Sequence, residues 1–380
     1  MSVTAAHGFV AAGIRAGIKS AGPDLAIVIA ERGPVPAAGV FTRNSAAAAP
    51  VVVSRQRLHT GRARAVVLNS GCANAGTGSQ GLVDTERVTE AAARLLLSDS
   101  DSILMCSTGP IGPPLPTERL VAALPALIEG ASVQGGQGAA EAILTTDSRT
   151  KTVALDGGGF VVGGMAKGAG MLRPDMATML CVLTTDAIAP PEMLRTILAD
   201  VVGPTFNSLN VDGCESTNDS VVLLASGETV TPHPDHLAGA VEAACRQLAR
   251  QMAADAEGAS RVVTIRIGGA ADHEAAHRYG RAVSDSALVR SSFYGGDPNW
   301  GRILAALGTC QVDPAAVSIA YEGHCVADGG VAFPFDDREL AKVLTGDFVI
   351  DIVVGEGGGE AQIITTDLTP DYVRFNGERS

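Results

Sequence analysis

Residues Lys167 to Ala187 read KGAGMLRPDMATMLCVLTTDA. A Gly-rich turn and Pro174 deliver the chain to Ala177, and Thr178 then opens the apolar run Thr178-Met-Leu-Cys-Val-Leu183, which reads as a buried strand. The Thr178 hydroxyl at the edge of that strand is a candidate nucleophile.

Working outward, the pattern upstream predicts a helix over 137–144, ended by Thr145-Thr146-Asp147, and strands over 152–155 and 160–166. Downstream it predicts a helix over 191–202, a loop dense in polar residues (TFNSLNVDGCESTNDS, 205–220) and the strand VVLLAS. Farther toward the N-terminus, DLAIVIA, AAGVF and APVVVS, spread over residues 24–54, read as consecutive strands at the edge of one sheet. AVVL (65–68) runs into the small-residue loop NSGCANAGTG, followed by a helix over about 84–97. A strand over 102–106 ends in Ser107-Thr108-Gly109-Pro110, a turn whose backbone amides can converge on one point, as an oxyanion hole requires.

Toward the C-terminus, Leu237, Val241, Cys245, Leu248 and Met252 recur at helical spacing. That helix stops at Gly258, which leaves Glu257 between elements before a strand over 262–267. A helix over 271–283, the loop GGDPNWGR, a further short helix and strands over 317–321 and 348–354 complete the pattern. No repeat or compositional break divides the chain, so the expectation is an α/β unit of layered sheets and helices.

The chain has 380 residues, 46% of them apolar, enough to bury a sizeable core. A formal charge of -13 with no basic run argues against nucleic-acid binding. Seven cysteines lie far apart with no CxxC, which fits a reducing, cytoplasmic setting and neither a disulfide framework nor a zinc ribbon. No apolar run reaches the length of a membrane span, and no secretory signal pattern opens the chain.

His273-Glu-Ala-Ala-His277 matches HExxH, but its flanks, Asp272, Arg278 and Arg281, make it a solvated helix face rather than a zinc helix. No GxSxG elbow is present. An internal Thr178 is a poor nucleophile, because its own amide nitrogen is not basic. Cleavage of the Ala177-Thr178 bond would free an α-amine with a pKa of about 8, able to take the hydroxyl proton.

The ordered motifs GFVAAGIRAGIK, AGVFTRN, NSGCANAGTG, STGPIG, TTDS, GGMAKGAGM, MATMLCVLTTDA, TFNSLNVDGCESTND, EGASR, GGDPNWGRI and DLTPDYVRFN span nearly the whole chain. In them the sequence resembles the ornithine acetyltransferases, the glutamate N-acetyltransferases of the ArgJ family of arginine biosynthesis. The resemblance implies self-cleavage into an α chain, 1–177, and a β chain, 178–380, both within one intertwined catalytic unit. The implied fold is α/β (α+β), a layered αββα-like sandwich resembling N-terminal-nucleophile hydrolases with a topology of its own. Thr178 is implied as the acetylated nucleophile, Thr108 and Gly109 as the oxyanion hole, and Lys167, Glu257, Asn376 and Ser380 as substrate-binding residues. One or both of Thr145 and Thr146 join them.

The implied reaction moves acetyl from N2-acetyl-L-ornithine to L-glutamate by a ping-pong route, with no metal or cofactor. Acetyl-CoA is an additional donor in some members, and the assembly is α2β2 or larger. Two departures stand out: Pro110 occupies a position where Val is usual, and Asn376 is followed by Gly-Glu-Arg-Ser380 instead of a Tyr leading to hydroxyl residues. Two other readings fit the motifs less fully: a self-processing amidohydrolase or aminopeptidase, and an uncleaved paralogue that binds acetylated amino acids.

Overall fold

Strands buried on both faces show no polar alternation and need cover above and below. Leu25–Ala30, Ala65–Ser70, Ile103–Thr108, Leu180–Thr185 and Ser220–Ala225 are buried at every position. The structure, a computed structural model, describes residues 2–172 and 179–378. Two compact units form, Met1–Asn207 with Cys214–Met252, and Ser208–Gly213 with Ala253–Ser380.

In the first unit, β1 (Phe9–Ile14), β2 (Leu25–Ala30), β5 (Ala65–Ser70) and β6 (Ile103–Thr108) make a four-stranded sheet in the order β1-β2-β5-β6. Only β5 and β6 run parallel. A six-stranded sheet contains β3 (Val35–Phe41), β4 (Arg62–Ala63), β7 (Lys151–Asp156), β8 (Val161–Lys167), β9 (Leu180–Thr185) and β11 (Ser220–Ala225), in the order β4-β3-β11-β9-β8-β7. The facing sides of the two sheets share one apolar core, which joins Val28, Val66, Leu68 and Leu104 to Leu180, Val182, Val222 and Leu224. Each such side chain contributes about 1.5–3 kcal/mol on burial.

The far side of the first sheet packs Ile27, Val67 and Met105 against α2 (Gly78–Leu95) and α3 (Thr117–Glu129). Beyond the second sheet lie α5 (Pro191–Val202), against β3, and α6 (Pro234–Ala253), whose Leu248 approaches Gly164. This unit is therefore helix, sheet, sheet, helix, the layering expected from the sequence. The chain positions on either side of the expected Ala177-Thr178 break both belong to it, and β8 pairs antiparallel with β9 from Val162↔Thr185 to Lys167↔Leu180. A short α4 (Gly136–Ala142) lies on β1.

One segment differs from its sequence reading. APVVVS belongs to α1 (Ala49–Arg57), not to a strand. Pro50 stands at the helix start, where a missing N–H costs nothing, and the β preference of three valines yields to docking. Ser54 Oγ donates to Met105 O at 2.8 Å and accepts from Met105 N at 2.9 Å, while Arg57 Nη1 donates to Ile103 O at 2.7 Å. Strand β6 is an edge of its sheet, and α1 supplies the partners its free side lacks. The neighbouring β2 and β3 also separate, one into each sheet, instead of forming one sheet edge.

The second unit is built on a seven-stranded sheet, β10-β17-β12-β16-β13-β14-β15. Its strands are β10 (Leu209–Asn210), β12 (Val262–Ala270), β13 (Ser318–Tyr321), β14 (His324–Asp328), β15 (Val331–Ala332), β16 (Phe348–Val353) and β17 (Gly359–Thr366). Helices α7 (His273–Asp285), α8 (Ala287–Gly295) and α9 (Trp300–Gly308) pack Val283, Phe293 and Ile303 on Val263, Ile265 and Ile350, with α10 (Asp337–Val343) adding Leu340. Helix α11 (Pro370–Gly377) ends the described chain. The HEAAH segment begins α7, where Asp272 caps the helix by accepting from Ala275 N and Glu274 pairs with Arg278 on the exposed face. Among the described residues no helix is long and apolar enough to cross a membrane.

Candidate active site

Strands β5 and β6 end side by side, Asn69 opposite Ser107 and Ser70 opposite Thr108. The chain leaving β5 then runs along the chain leaving β6: Cys72 N donates to Thr108 O at 3.1 Å and Ala73 N donates to Pro110 O at 3.2 Å. Gly109 holds a φ of +139°, and a Cβ there would lie 2.5 Å from Cys72 N and 2.6 Å from Gly71 C. Only glycine fits. Pro110 has no N–H to offer, but its carbonyl takes part in holding the two loops together.

The same junction is fixed by amide side chains. Ser107 Oγ donates to Asn69 Oδ1 at 2.6 Å, and Asn69 Nδ2 donates to Cys72 O at 2.9 Å. From the loop before β11, Asn218 Nδ2 donates to both Ala73 O (2.7 Å) and Ser107 O (2.9 Å). Thr108, Gly109, Ala73, Met171, Ser216 and Asn218 border a small cavity of about 50 Å³.

Lys167, the last residue of β8, is buried, and its Nζ donates to Thr108 Oγ1 at 3.4 Å. Asp147 ties it to the Thr145-Thr146 segment. Asp147 Oδ2 accepts from Thr145 N at 3.1 Å and from Thr145 Oγ1 at 3.5 Å, and stands 3.7 Å from Lys167 Nζ. Its Oδ1 accepts from Lys151 Nζ at 2.6 Å and from Gly168 N at 2.7 Å. Burial works to raise the Asp147 pKa, but the Lys167 and Lys151 ammonium groups and the Lys151 and Gly168 hydrogen bonds outweigh it and hold the carboxyl well below its usual range. Thr146 is half-buried between Thr145 and Asp147. Nearby, Lys19 Nζ donates to Leu144 O at 2.9 Å, and burial lowers its pKa against the pull of Asp24 and Asp147.

Met179 is held from both ends. Its N–H donates to Asp219 Oδ1 at 2.9 Å, and its carbonyl accepts from Ser220 N at 3.1 Å, one step before Leu180 pairs with Ser220 across β9 and β11. The Asp219 side chain is fully buried, and its Oδ2 has no hydrogen-bond partner among the described residues. Burial pushes its carboxyl pKa well above the usual range, against the Met179 N–H, Lys167 and the Ser216 hydroxyl, while Glu215 adds to the rise.

Of the residues expected from the sequence, the first unit brings Thr108, Gly109, Thr145, Thr146 and Lys167 into this one neighbourhood. Ala177, Thr178 and Ser380 lie outside the described residues. Glu257 and Asn376 fall in the second unit, on adjoining segments: Gly258 has a φ of +66°, and a Cβ there would stand 2.3 Å from Tyr372 N, at the start of α11. Thr369 Oγ1 donates to Gly258 O at 2.5 Å, and Asn376, exposed on α11, donates through Nδ2 to Tyr372 O at 3.1 Å. Sequence reasoning missed the individual roles of Asp147, Asn218 and Asp219. The polar density of residues 205–220 was the available signal for the last two.

A sequence profile described as the ArgJ family matches residues 10–380. The chain belongs to the ArgJ family. An arginine biosynthesis bifunctional protein ArgJ of Thermobifida fusca is 45% identical over 380 residues, covering 99% of this chain and 99% of that one. A protein of the same description from Mycobacterium tuberculosis is 45% identical, covering 98% of this chain and 95% of its own. A solved structure of ornithine acetyltransferase complexed with ornithine, also from Mycobacterium tuberculosis, shares 47% identity over 47% of this chain and 96% of that chain, with a TM-score of 0.45. The ArgJ-family match runs through both compact units, so Thr108, Lys167, Glu257 and Asn376 all fall within it.

Proposed function

We propose that this chain is the acetyltransferase of arginine biosynthesis that carries acetyl from N2-acetyl-L-ornithine to L-glutamate on Thr178, after self-cleavage into chains 1–177 and 178–380. The observation that carries this reading is full-length membership of the ArgJ family. The geometry around Thr108 supports the chemistry in detail.

Processing begins when the Thr178 hydroxyl attacks the Ala177 carbonyl. The resulting ester is hydrolysed by water, leaving the Ala177 carboxylate and the Thr178 α-amine. In the first half-reaction that amine takes the hydroxyl proton as Thr178 Oγ attacks the acetyl carbonyl of acetylornithine. A negative oxygen develops, to be met by the Thr108 hydroxyl and the Gly109 backbone N–H, each donor worth about 3–4 kcal/mol. Lys167 donates into Thr108 Oγ1, which leaves the Thr108 O–H free to point at that oxygen. Ornithine leaves with the proton, and the amine of glutamate then attacks the acetyl ester.

Lys167 also carries the charge that receives a substrate carboxylate, with Thr145 and Thr146 tied to it through Asp147; Glu257, Asn376 and Ser380 are the substrate-binding residues that family membership implies for the C-terminal part of the chain. No step uses a metal or redox cofactor. Acetyl-CoA serves as a second donor to the same Thr178, which would make the enzyme bifunctional. The processed chains assemble as α2β2 or larger, and the reaction belongs in the cytoplasm, in keeping with seven free cysteines.

Denaturing electrophoresis of the purified protein is expected to show two chains, and Thr178→Ala one uncut, inactive chain. A wild-type protein that stays whole sinks the mechanism. Release of acetate without acetylglutamate would instead identify the hydrolase.

A further inference from the structure

The turn between β1 and β2 carries Lys19 to the end of β5. The buried Asp24 carboxylate shapes that turn by accepting from Ala16 N at 2.5 Å, Ile18 N at 2.6 Å and Lys19 N at 2.9 Å. Asp24 O in turn accepts from Ser70 N at 3.0 Å, one residue before Gly71. The Lys19 stem lies against Gly71, where φ is +96° and a Cβ would stand 2.7 Å from Lys19 Cγ. From there the ammonium crosses to the chain leaving α4: Ser70 Oγ donates to Ala142 O at 2.7 Å, and Lys19 Nζ donates to Leu144 O at 2.9 Å. Carbonyls at a helix end are left open, and a lysine can close them. This carbonyl, however, belongs to the peptide unit whose N–H is that of Thr145. The N–H donates to Asp147 Oδ2 at 3.1 Å, and the same oxygen stands 3.7 Å from Lys167 Nζ, which donates to Thr108 Oγ1 at 3.4 Å. One peptide unit is thus held from both edges, by Lys19 at its oxygen and by Asp147 at its nitrogen.

We propose that Lys19 is a positioning residue for substrate binding, setting the plane of the Leu144–Thr145 peptide and with it the presentation of Thr145. The proposal rests on the acetyltransferase reading above, in which the Thr145-Thr146 segment binds substrate. A peptide unit is rigid and planar, so one anchor leaves it free to turn about that contact, and a second on its other edge removes the freedom. An ammonium suits the second anchor, because a charged donor makes a stronger hydrogen bond than a neutral one. Burial lowers the Lys19 pKa and Lys167 adds to the fall, while Asp24 and Asp147 oppose it, so Lys19 stands in the field of the same Asp147-Lys167 pair. Its contact with Gly71 also joins the loop leaving β5 to the Thr145 segment, two stretches about seventy positions apart in the chain. A group that only anchors a binding residue acts alike on ground state and transition state, so its loss raises KM and spares kcat. Acetylornithine and glutamate both carry an α-carboxylate, and the effect therefore falls on both half-reactions.

The test uses Lys19→Met and Lys19→Arg in the full-length protein, each run on a denaturing gel and assayed for acetyl transfer from acetylornithine to glutamate. Met keeps a stem to lie against Gly71 but has neither donor nor charge, whereas Arg keeps both. Lys19→Met is expected to raise KM for each substrate about 10-fold while kcat changes by less than about 3-fold, and Lys19→Arg should recover most of the loss. A Lys19→Met enzyme that is cut and keeps both wild-type KM values overturns the proposal, whatever its kcat, and leaves the acetyltransferase reading intact. A Lys19→Arg enzyme as impaired as Lys19→Met overturns it as well. Wild type that stays uncut or transfers no acetyl overturns the underlying reading instead. Should Lys19→Met fail to fold, reductive methylation of wild-type protein, followed at Lys19 by peptide mass spectrometry, decides. The ligand is N-acetyl-L-glutamate, which has no amine to consume the reagent. Methylation of Lys19 slowed severalfold by the ligand supports the proposal, and a rate the ligand leaves unchanged overturns it.

Discussion

Asp147 gathers hydrogen-bond donors from Thr145, Lys151 and Gly168 and the Lys167 ammonium at 3.7 Å, four residues from three separate stretches of chain, onto one fully buried carboxylate. Removing its charge leaves two buried ammonium groups without this anion, so Asp147→Asn should cost about 3 kcal/mol or more in stability. The dependence on pH has a definite sign. The folded pKa is depressed, so the stabilisation is complete above the unfolded carboxylate value of about 3.9 and is lost as pH falls through the lower folded value. The melting-temperature gap between wild type and Asp147→Asn is therefore expected to be widest near neutrality, to begin narrowing below about pH 4 and to close only as pH falls through the depressed folded value. A gap that stays constant to pH 2 would mean that charge is not what Asp147 contributes. The sequence showed Asp147 only as the residue after a helix end. Its partners at 151, 167 and 168 meet it through strand pairing, which no local pattern displays.

At the scale of elements, the strands buried on every position were legible as continuous apolar runs, and α5 and α6 as proline-started or periodic helices. The three valines of α1 were not, because what decides their conformation is the open edge of β6 about fifty positions away. Ser54 gives and takes one hydrogen bond at Met105, so a single hydroxyl satisfies two main-chain groups. Ser54→Ala should strand both and destabilise the first unit by about 2–4 kcal/mol in urea unfolding, against about 0.5 kcal/mol for a surface change. Since β6 ends in Thr108, the variant should also lower kcat at temperatures where the protein is still folded. A Ser54→Ala protein with an unchanged urea midpoint would show that α1 covers the edge by packing alone. The polar loop before β11 was visible as a site-like stretch. The specific reach of Asn218 to Ser107 O and Ala73 O was not, since it depends on two sheets being stacked.

For the whole molecule, the expected break between 177 and 178 would fall in the connection between β8 and β9, two strands of one sheet, and not between compact units. On its two sides stand β8 and β9, paired along their length, and β3 is likewise paired with β11 from Ser220↔Phe41 to Leu224↔Ala37. The core between the sheets draws Val28, Leu68 and Met165 from before the break and Leu180, Val182 and Leu224 from after it. A cut chain therefore keeps the hydrogen-bond ladders and the apolar contacts that held the uncut one. The two chains of the processed protein are expected to run as one species in size-exclusion chromatography and native mass spectrometry at neutral pH, and to part only together with loss of the folded signal in denaturant. If they separate in buffer without denaturant, the sheet is not the bond between them. The same native mass reads the number of αβ pairs, for which α2β2 is the expected minimum. A cut in the connection between two paired strands would leave the ladder that joins them in place, so the processing proposed for Ala177-Thr178 would free an amine without removing the pairing of β8 with β9.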